Sequence, residues 1–230
     1  MPDETLNERL SHIPEQRCFF LFLALLALLV AVPFLSETTH GPVILFVVNV
    51  TILLTAVAAM GRSRLMFVIA VIMALPVIVF RFLALESGLP GHLVLTWGFN
   101  AVFYVFILAR LLHYVLRRDF MTSDKLYGAV AAYILVAVLW AYLHGVTQYF
   151  YPGAYAFGGT LKALDMTELL YFSFTTLATV GYGDITPALV QSRFLTILEM
   201  ITGVMYVAIL IARLTGVYPV VDKPIADKKS

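Results

Sequence analysis

The sequence predicts an all-α membrane protein with six transmembrane helices and one short re-entrant segment. Of its 230 residues, 61% are apolar and only 13% are charged, whereas a typical soluble protein has about 25% charged residues. Apolar runs of the length needed to cross a bilayer, roughly 18–20 residues, recur along the chain. A glycine-containing stretch lies between the last two runs, and a membrane tolerates such irregular backbone only beside protein or a watery path.

The six predicted spans are apolar runs that are separated mostly by short loops. They cover residues 18–35, 42–60, 65–85, 93–112, 126–143 and 189–210. The first run is not read as a signal peptide, because the residues before it are mixed in charge and no small-residue cleavage site follows it. The short loops between the first four spans favour antiparallel neighbours.

The distribution of basic residues predicts the orientation of these spans. The loops at 36–41 and 86–91 contain no lysine or arginine. The alternate loops and the tail carry the positive charge, in Arg62, Arg64, Arg117, Arg118, Lys125, Arg213, Lys223, Lys228 and Lys229. The positive-inside rule then places both termini in the cytoplasm.

Composition and side-chain spacing argue against several other classes of protein. A formal net charge of +1 gives no indication of nucleic-acid binding. Cys18 is the only cysteine of the sequence, so an intrachain disulfide is excluded. No recognisable nucleophile arrangement is present, His144 is read as a packed residue, and we expect neither an enzyme nor a cofactor.

The re-entrant stretch is Thr179-Val180-Gly181-Tyr182-Gly183-Asp184. Glycine takes backbone angles that other residues avoid, so this alternation allows successive carbonyls to turn toward one side. A simple glycine-rich connection is the alternative interpretation. The order of a short amphipathic run (166–178), this stretch and a long apolar helix instead favours a pore helix, a filter and an inner helix. The stretch resembles the selectivity-filter signature of potassium channels, and residues 176–183 fit that family's Thr-x-x-Thr-x-Gly-Tyr-Gly pattern.

This resemblance implies the ion ligands and the assembly. The backbone carbonyls of Thr179, Val180, Gly181 and Tyr182 are the expected K⁺ ligands, with the Thr179 hydroxyl at the inner end. Gly183 and Asp184 complete the signature, and Asp184 lies at the external mouth. One filter strand cannot surround an ion, so the resemblance implies a homotetramer around the pore.

The pore helix supplies the predicted support for the filter. Its start is predicted near Asp165, with Asp165 or Thr167 as the N-cap and Glu168 in the first turn. The supporting side chains are then predicted to be Tyr171, Phe172, Thr175 and Thr176. Tyr171 and Phe172 occupy positions where related channels carry an aromatic cuff, although ordinary interfacial aromatic residues are the alternative. Thr175 stands where some bacterial channels place a carboxylate.

Two residues of the last span are candidates for roles behind the filter. Gly203 aligns with the gating-hinge glycine of related inner helices, and close helix packing is an equally open alternative. Glu199 is an acid inside an apolar helix, and such residues are functional candidates by default. We expect Glu199 to hydrogen-bond behind the filter, to the pore helix, rather than to bind ions.

The first four spans resemble a voltage-sensor domain without its charges. Sensors carry repeated arginines along the fourth span, but residues 93–109 contain no lysine or arginine. Arg81 is a single intramembrane charge that either pairs with Glu86 or reaches lipid headgroups. Asn49 and Asn100 are expected to hydrogen-bond between helices.

The predicted organisation has five parts. These are a cytoplasmic N-terminal segment (1–17), a peripheral four-helix unit (18–116), a linker (117–125), a pore domain (126–214) and a cytoplasmic tail (215–230). The predicted function is passive K⁺ conduction across a prokaryotic cell membrane, with lipid, K⁺ and identical subunits as partners and without strong voltage gating. The alternatives are a K⁺ transporter subunit and a non-conducting membrane scaffold.

Overall fold

The computed structural model of the protein describes residues 17–35, 38, 41–59, 64–117 and 122–215. The helices in these ranges are α1 (Arg17–Leu35), α2 (Gly41–Ala59), α3 (Arg64–Ser87), α4 (Pro90–Val115), α5 (Ser123–Phe150), α6 (Met166–Leu177) and α7 (Val190–Thr215). The strands are β1 (Tyr155–Phe157), β2 (Thr160–Leu161) and β3 (Ile185–Pro187). The predicted N-terminal segment before residue 17, the middle of the linker (118–121) and the tail after residue 215 lie outside the described residues.

The long helices follow the predicted spans in number and order. Helices α1 to α5 and α7 occupy the six spans, and α6 is the short helix of the re-entrant segment. Among the described residues, α1, α3, α4, α5 and α7 are long and apolar enough to cross a membrane, whereas the apolar stretch found in α2, Val47–Ala56, is shorter. The prediction of a helical, multi-pass membrane protein is confirmed.

Helix α5 is longer than its predicted span, which ended at residue 143. The helix continues to Phe150, and two polar side chains of its last turns have partners on other elements, since His144 contacts Tyr155 and Glu199 and Gln148 bonds to Leu164. The Thr147 hydroxyl donates to the Leu143 carbonyl at 2.8 Å, and His144 is fully buried. Polar residues after position 143 predicted the end of the span, but in the structure these polar side chains are hydrogen-bonded or buried within the protein.

The peripheral helices pack on the pore helices of the same chain. Helix α4 lies along α5, and α1 contacts both α2 and α5. The Asp124 carboxylate at the start of α5 joins these elements, because it accepts the Cys18 backbone N–H at 2.8 Å and the Tyr114 hydroxyl at 3.0 Å. The starts of α1 and α5 and the end of α4 therefore meet at one carboxylate.

A three-stranded antiparallel sheet, which was not predicted, flanks the outer end of the filter stretch. Its strand order is β2-β1-β3, and the β1–β2 turn contains Gly158 and Gly159, both with positive φ. Such glycines suit a two-residue hairpin turn. The Gly158 N–H donates to the Asp184 carbonyl at 2.8 Å, and β3 begins at the next residue. The sheet therefore fixes where the filter stretch ends.

Gln148 fixes the chain that enters α6, and its replacement provides a test. Its Nε2 donates to the Leu164 carbonyl at 2.7 Å, and its Oε1 accepts the Leu164 N–H at 2.9 Å. We expect Gln148→Met to lower the free energy of unfolding by about 1–3 kcal/mol, because both backbone groups lose their partner.

Thermal unfolding of the purified protein in detergent measures this loss. Thr147→Val is the matched control, because the Thr147 hydroxyl bonds only within its own helix. Equal destabilisation by the two substitutions would contradict the role assigned to Gln148.

Candidate ion-binding site

A capping box sets the start of α6. The Asp165 carboxylate accepts the Glu168 N–H at 2.9 Å, and the Glu168 carboxylate accepts the Asp165 N–H at 3.0 Å. Lys162 holds the second oxygen of Glu168 in an ion pair at 2.5 Å. This reciprocal arrangement satisfies two backbone donors of the helix start, and it confirms the predicted cap at Asp165.

The end of α6 sets the direction of the filter backbone. The Thr175 carbonyl accepts the N–H groups of Val180 at 2.8 Å and Gly181 at 3.2 Å, and the Thr176 carbonyl accepts that of Thr179 at 2.9 Å. A trans peptide places its carbonyl opposite its N–H, and the described residues contain no cis peptide. The carbonyls of these three peptide units therefore point away from the α6 carbonyls that accept their N–H groups.

The sign of φ alternates along the backbone of the filter stretch. Thr179 (φ 57°), Gly181 (φ 54°) and Gly183 (φ 82°) have positive φ, whereas the residues between them do not. Thr179 is the one non-glycine residue with positive φ in the described ranges. Such backbone is strained for a β-branched residue and is concentrated at functional sites. The alternation is the geometry that turns successive carbonyls toward one side.

The two predicted aromatic supports face different neighbours. The Tyr171 ring stacks on Tyr182 with centroids 6.4 Å apart and planes 4° apart. The Asp184 carboxylate nearby raises the pKa of the Tyr171 phenol, chiefly by acting as a hydrogen-bond acceptor for it. Phe172 instead packs on His144 and Tyr155, with ring centroids 5.0 and 5.5 Å away. Within its own chain, only Tyr171 lies against the filter.

The two threonine supports act mainly through their backbone. The Thr175 hydroxyl donates to the Phe172 carbonyl within α6 at 3.0 Å, and Thr176 is buried. Their carbonyls receive the filter amides described above. The side chain at 175 therefore makes no link to Asp184, in contrast to the carboxylate that some bacterial channels carry there.

Glu199 lies at the centre of a buried hydrogen-bond network behind α6. Its Oε1 is 2.5 Å from the Ser173 Oγ, as expected for contact with the pore helix, and its Oε2 is 2.7 Å from His144 Nε2. The Ser173 Oγ is also 2.7 Å from the Ala137 carbonyl, and His144 Nδ1 is 2.6 Å from the Tyr155 hydroxyl. The four side chains are fully buried. The network joins α5, α6, α7 and β1.

Each of the four contacts in this network needs one proton to be a hydrogen bond, so the contacts together define the protonation of the side chains. The Ser173 hydroxyl has a single proton, so when it donates to the Ala137 carbonyl, the contact with Glu199 needs a proton on Oε1. His144 then donates from Nε2 to Oε2. Burial raises the pKa of the Tyr155 phenol, which keeps its proton and donates to Nδ1. We assign Glu199 as a neutral acid, because one of the four contacts would lack a proton if the carboxyl group were ionised.

Gly203 allows α7 to contact the end of α6. A Cβ atom at this position would lie 2.0 Å from the Leu177 carbonyl oxygen and 2.9 Å from its carbon. Real Cβ atoms do not approach backbone so closely. This contact supports the close-packing alternative for Gly203, and its role as a hinge stays a prediction.

Three partners of Glu199 are not predicted from the sequence. His144 is predicted only as a packed residue, and no role is predicted for Ser173 or Tyr155. A signal was present, since a buried acid in an apolar helix requires donors on the facing elements. The spacing of polar residues along α5 and α6 alone does not show which of them face α7.

The neutral state of Glu199 leads to a prediction about its replacements. We expect Glu199→Gln to change the free energy of unfolding by less than about 1 kcal/mol, because its amide donates to Ser173 and its carbonyl accepts from His144. We expect Glu199→Leu to lower it by about 2 kcal/mol or more, because buried donors and acceptors lose their partners.

Thermal unfolding in detergent measures both variants against the wild type. The glutamine and leucine side chains are similar in size, so the difference between them isolates hydrogen bonding. Equal destabilisation by both substitutions would show that an ionised carboxylate is required, and it would contradict the neutral assignment.

Comparisons with known proteins identify the pore region. The sequence profile of the "Ion channel" family matches residues 129–218. The chain is 31% identical over 170 residues to the voltage-gated potassium channel Kch of Escherichia coli (strain K12), which covers 74% of this chain and 36% of that protein. It is 40% identical over 60 residues to the two-pore potassium channel 4 of Arabidopsis thaliana, which covers 26% of this chain and 21% of that protein. No solved structure matches the chain.

These matches agree with the geometry of the filter stretch. The chain spans 36% and 21% of the lengths of its two relatives, and the matched region contains α6, the filter stretch and α7. Both relatives and the matched family are ion channels rather than enzymes. Residues 129–218 therefore form an ion-channel domain, and the chain is similar to a bacterial and a plant potassium channel.

Proposed function

We propose that this protein conducts K⁺ passively across a prokaryotic cell membrane as a homotetramer, with residues 179–184 as the selectivity filter. The backbone carbonyls of Thr179, Val180, Gly181 and Tyr182 replace the water around the ion. The Thr179 hydroxyl adds an oxygen at the inner end, and Asp184 lies at the outer mouth.

The alternating hand of the filter backbone carries this proposal. Positive φ recurs at Thr179, Gly181 and Gly183, and the N–H groups of residues 179–181 bond back to α6. A loop that merely connects two helices has no need of a strained threonine, because most sequences form such turns without one. The arrangement suits a row of carbonyl ligands for a cation that has lost its water.

Exposed apolar surface supports assembly from several chains. In a single chain, Val180 is 52% exposed and Tyr182 is 72% exposed. Large apolar side chains of α7, such as Phe194, Ile201 and Val204, are also more than half exposed. One filter strand supplies ligands on one side of an ion only. Four copies around an axis cover the filter side chains and complete the coordination.

The helix ends support an orientation with both termini in the cytoplasm. The Arg213 guanidinium near the end of α7 donates to the Arg117 carbonyl after α4. The ends of these two helices therefore lie on the same side. The basic residues that follow both helices in the sequence place that side in the cytoplasm.

Replacement of Gly181 tests the conduction proposal. We expect Gly181→Ala to lower K⁺ flux into liposomes at least about tenfold, because a left-handed alanine costs about 1–2 kcal/mol and the filter relieves that strain by rotating a carbonyl away. The wild-type protein should pass K⁺ in strong preference to Na⁺. Fluorescence-based flux under matched K⁺ and Na⁺ gradients measures both quantities.

Gly88→Ala is the matched control for this experiment. Gly88 also has positive φ (62°) and, like Gly181, has no atom within 4 Å of an added Cβ. It lies in the α3–α4 turn, so the same backbone strain there should leave flux unchanged. Equal K⁺ and Na⁺ flux in the wild type would contradict selectivity. Equal flux in the Gly181 variant and the wild type would exclude the filter role and leave the scaffold or transporter-subunit alternative.

The charge content of α4 predicts weak voltage dependence. Arg110 is the only lysine or arginine of this helix, whereas a voltage sensor moves about 3–4 charges per subunit. We expect the open probability in planar bilayers to change little between negative and positive potentials, and equally little in Arg110→Gln. A steep voltage dependence that disappears in this variant would contradict the prediction.

A further inference from the structure

A cavity of about 320 Å³ lies between the peripheral helices and the start of the pore helix. Every helix from α1 to α6 contributes to its wall, for example through Leu28, Asn49, Val77, Asn100, Val138 and Leu170. Most of this wall is apolar, and a few polar groups converge on it. A cavity of this size and lining is typical of small-molecule sites.

Asn100 presents an unpartnered acceptor to this cavity. Its side chain is 2% exposed, and its Nδ2 donates to the Thr96 carbonyl of the same helix at 2.9 Å. A carbonyl only accepts, so the amide orientation is fixed and the second atom is the oxygen. This Oδ1 is buried and has no partner in the described part of the chain. An acceptor in this state favours an occupant that donates a hydrogen bond.

Arg81 favours an occupant that also carries an anionic group. It lines the same cavity and forms no hydrogen bond or ion pair with any residue in the described ranges. Its predicted pairing with Glu86 is therefore not made. The Asp165 carboxylate also lies on the wall, with its Oδ1 accepting the Glu168 N–H. The cavity thus combines a cation with a carboxylate and an orphaned acceptor.

The cavity lies near one end of the helix bundle. Arg81 is six residues before the end of α3, which is about 9 Å along a helix. Asn100 lies in the first half of α4, and Asp165 precedes α6. In the orientation proposed above, this end faces the outer leaflet, where lipid phosphates lie close to the depth of Arg81.

We propose that the cavity binds the headgroup of a phospholipid that carries a primary ammonium group, such as phosphatidylethanolamine. The phosphate pairs with the Arg81 guanidinium, which matches its geometry. The ammonium donates to Asn100 Oδ1 and is attracted by Asp165. The acyl chains follow the apolar wall. This inference uses the proposed orientation but does not depend on conduction.

Native mass spectrometry of the full chain in detergent tests the site. Phosphatidylethanolamine and phosphatidylcholine with identical acyl chains are the probes, because both carry a phosphate and a positive charge but only the first donates a hydrogen bond. We expect the ethanolamine lipid to bind about fivefold more tightly, which corresponds to one hydrogen bond. Asn100→Leu should abolish this preference and leave the affinity for phosphatidylcholine unchanged.

Arg81→Gln tests the phosphate contact. We expect about tenfold weaker binding of both lipids, because a hydrogen bond to a charged group is lost. Arg110→Gln is the matched control, since Arg110 lies near the other end of α4. This variant should bind both lipids as tightly as the wild type does.

Three results would overturn the proposal. The first is equal binding of the two lipids by the wild type, or no bound lipid at all. The second is an equal loss in Arg81→Gln and Arg110→Gln. The third is displacement of the lipid by soluble O-phosphoethanolamine at equal concentration, which would assign a water-borne ligand. Since lipid binding is read without ion flux, failure of the conduction proposal would be seen separately.

Discussion

The outer half of the pore region depends on the buried network around Glu199. From this residue, one arm runs through Ser173 to α6, whose last carbonyls hold the inner part of the filter. The other arm runs through His144 to Tyr155 on β1. In the sheet, Tyr155 pairs with Pro187 of β3, which follows the filter directly. Hydrogen bonds and strand pairing therefore connect this one acid on α7 to both ends of the 179–184 stretch.

A neutral network is well suited to this place. Burial of an isolated charge is unfavourable, and even a buried ion pair often stabilises less than apolar packing. A protonated Glu199 satisfies every close contact without adding a net charge behind the filter. In the proposed function, the field that a permeating cation meets then comes mainly from the filter carbonyls, the carboxyl end of α6 and Asp184.

The sequence predicted the features that follow from local chemistry. Apolar runs located the long helices, since hydropathy reports burial in lipid regardless of which neighbour covers a helix. An N-cap at Asp165 or Thr167 was also predicted, because a capping side chain and the amide that it accepts lie within four residues, whereas the return bond from Glu168 that completes the capping box was not.

What the sequence did not reveal depends on long-range contacts. The α5 extension depends on Gln148 meeting Leu164, and the sheet depends on residues 155 and 187 meeting across the filter. Asn49 bonds between helices as expected, to Tyr104 and Tyr142, whereas Asn100 bonds only within its own helix. Nothing in the local sequence distinguishes these two asparagines, because the difference lies in which side chains the neighbouring helices place beside them.

The charge content and the packing of the peripheral unit favour a role other than voltage sensing. Helix α4 carries a single arginine, Arg110, and no lysine, and it packs along α5 and borders the cavity that reaches the start of α6. Leu170 and Met166 of the pore helix share that wall with Arg81 and Asn100. A molecule bound there contacts both parts of the chain at once. It influences the pore only as far as its affinity differs between pore states.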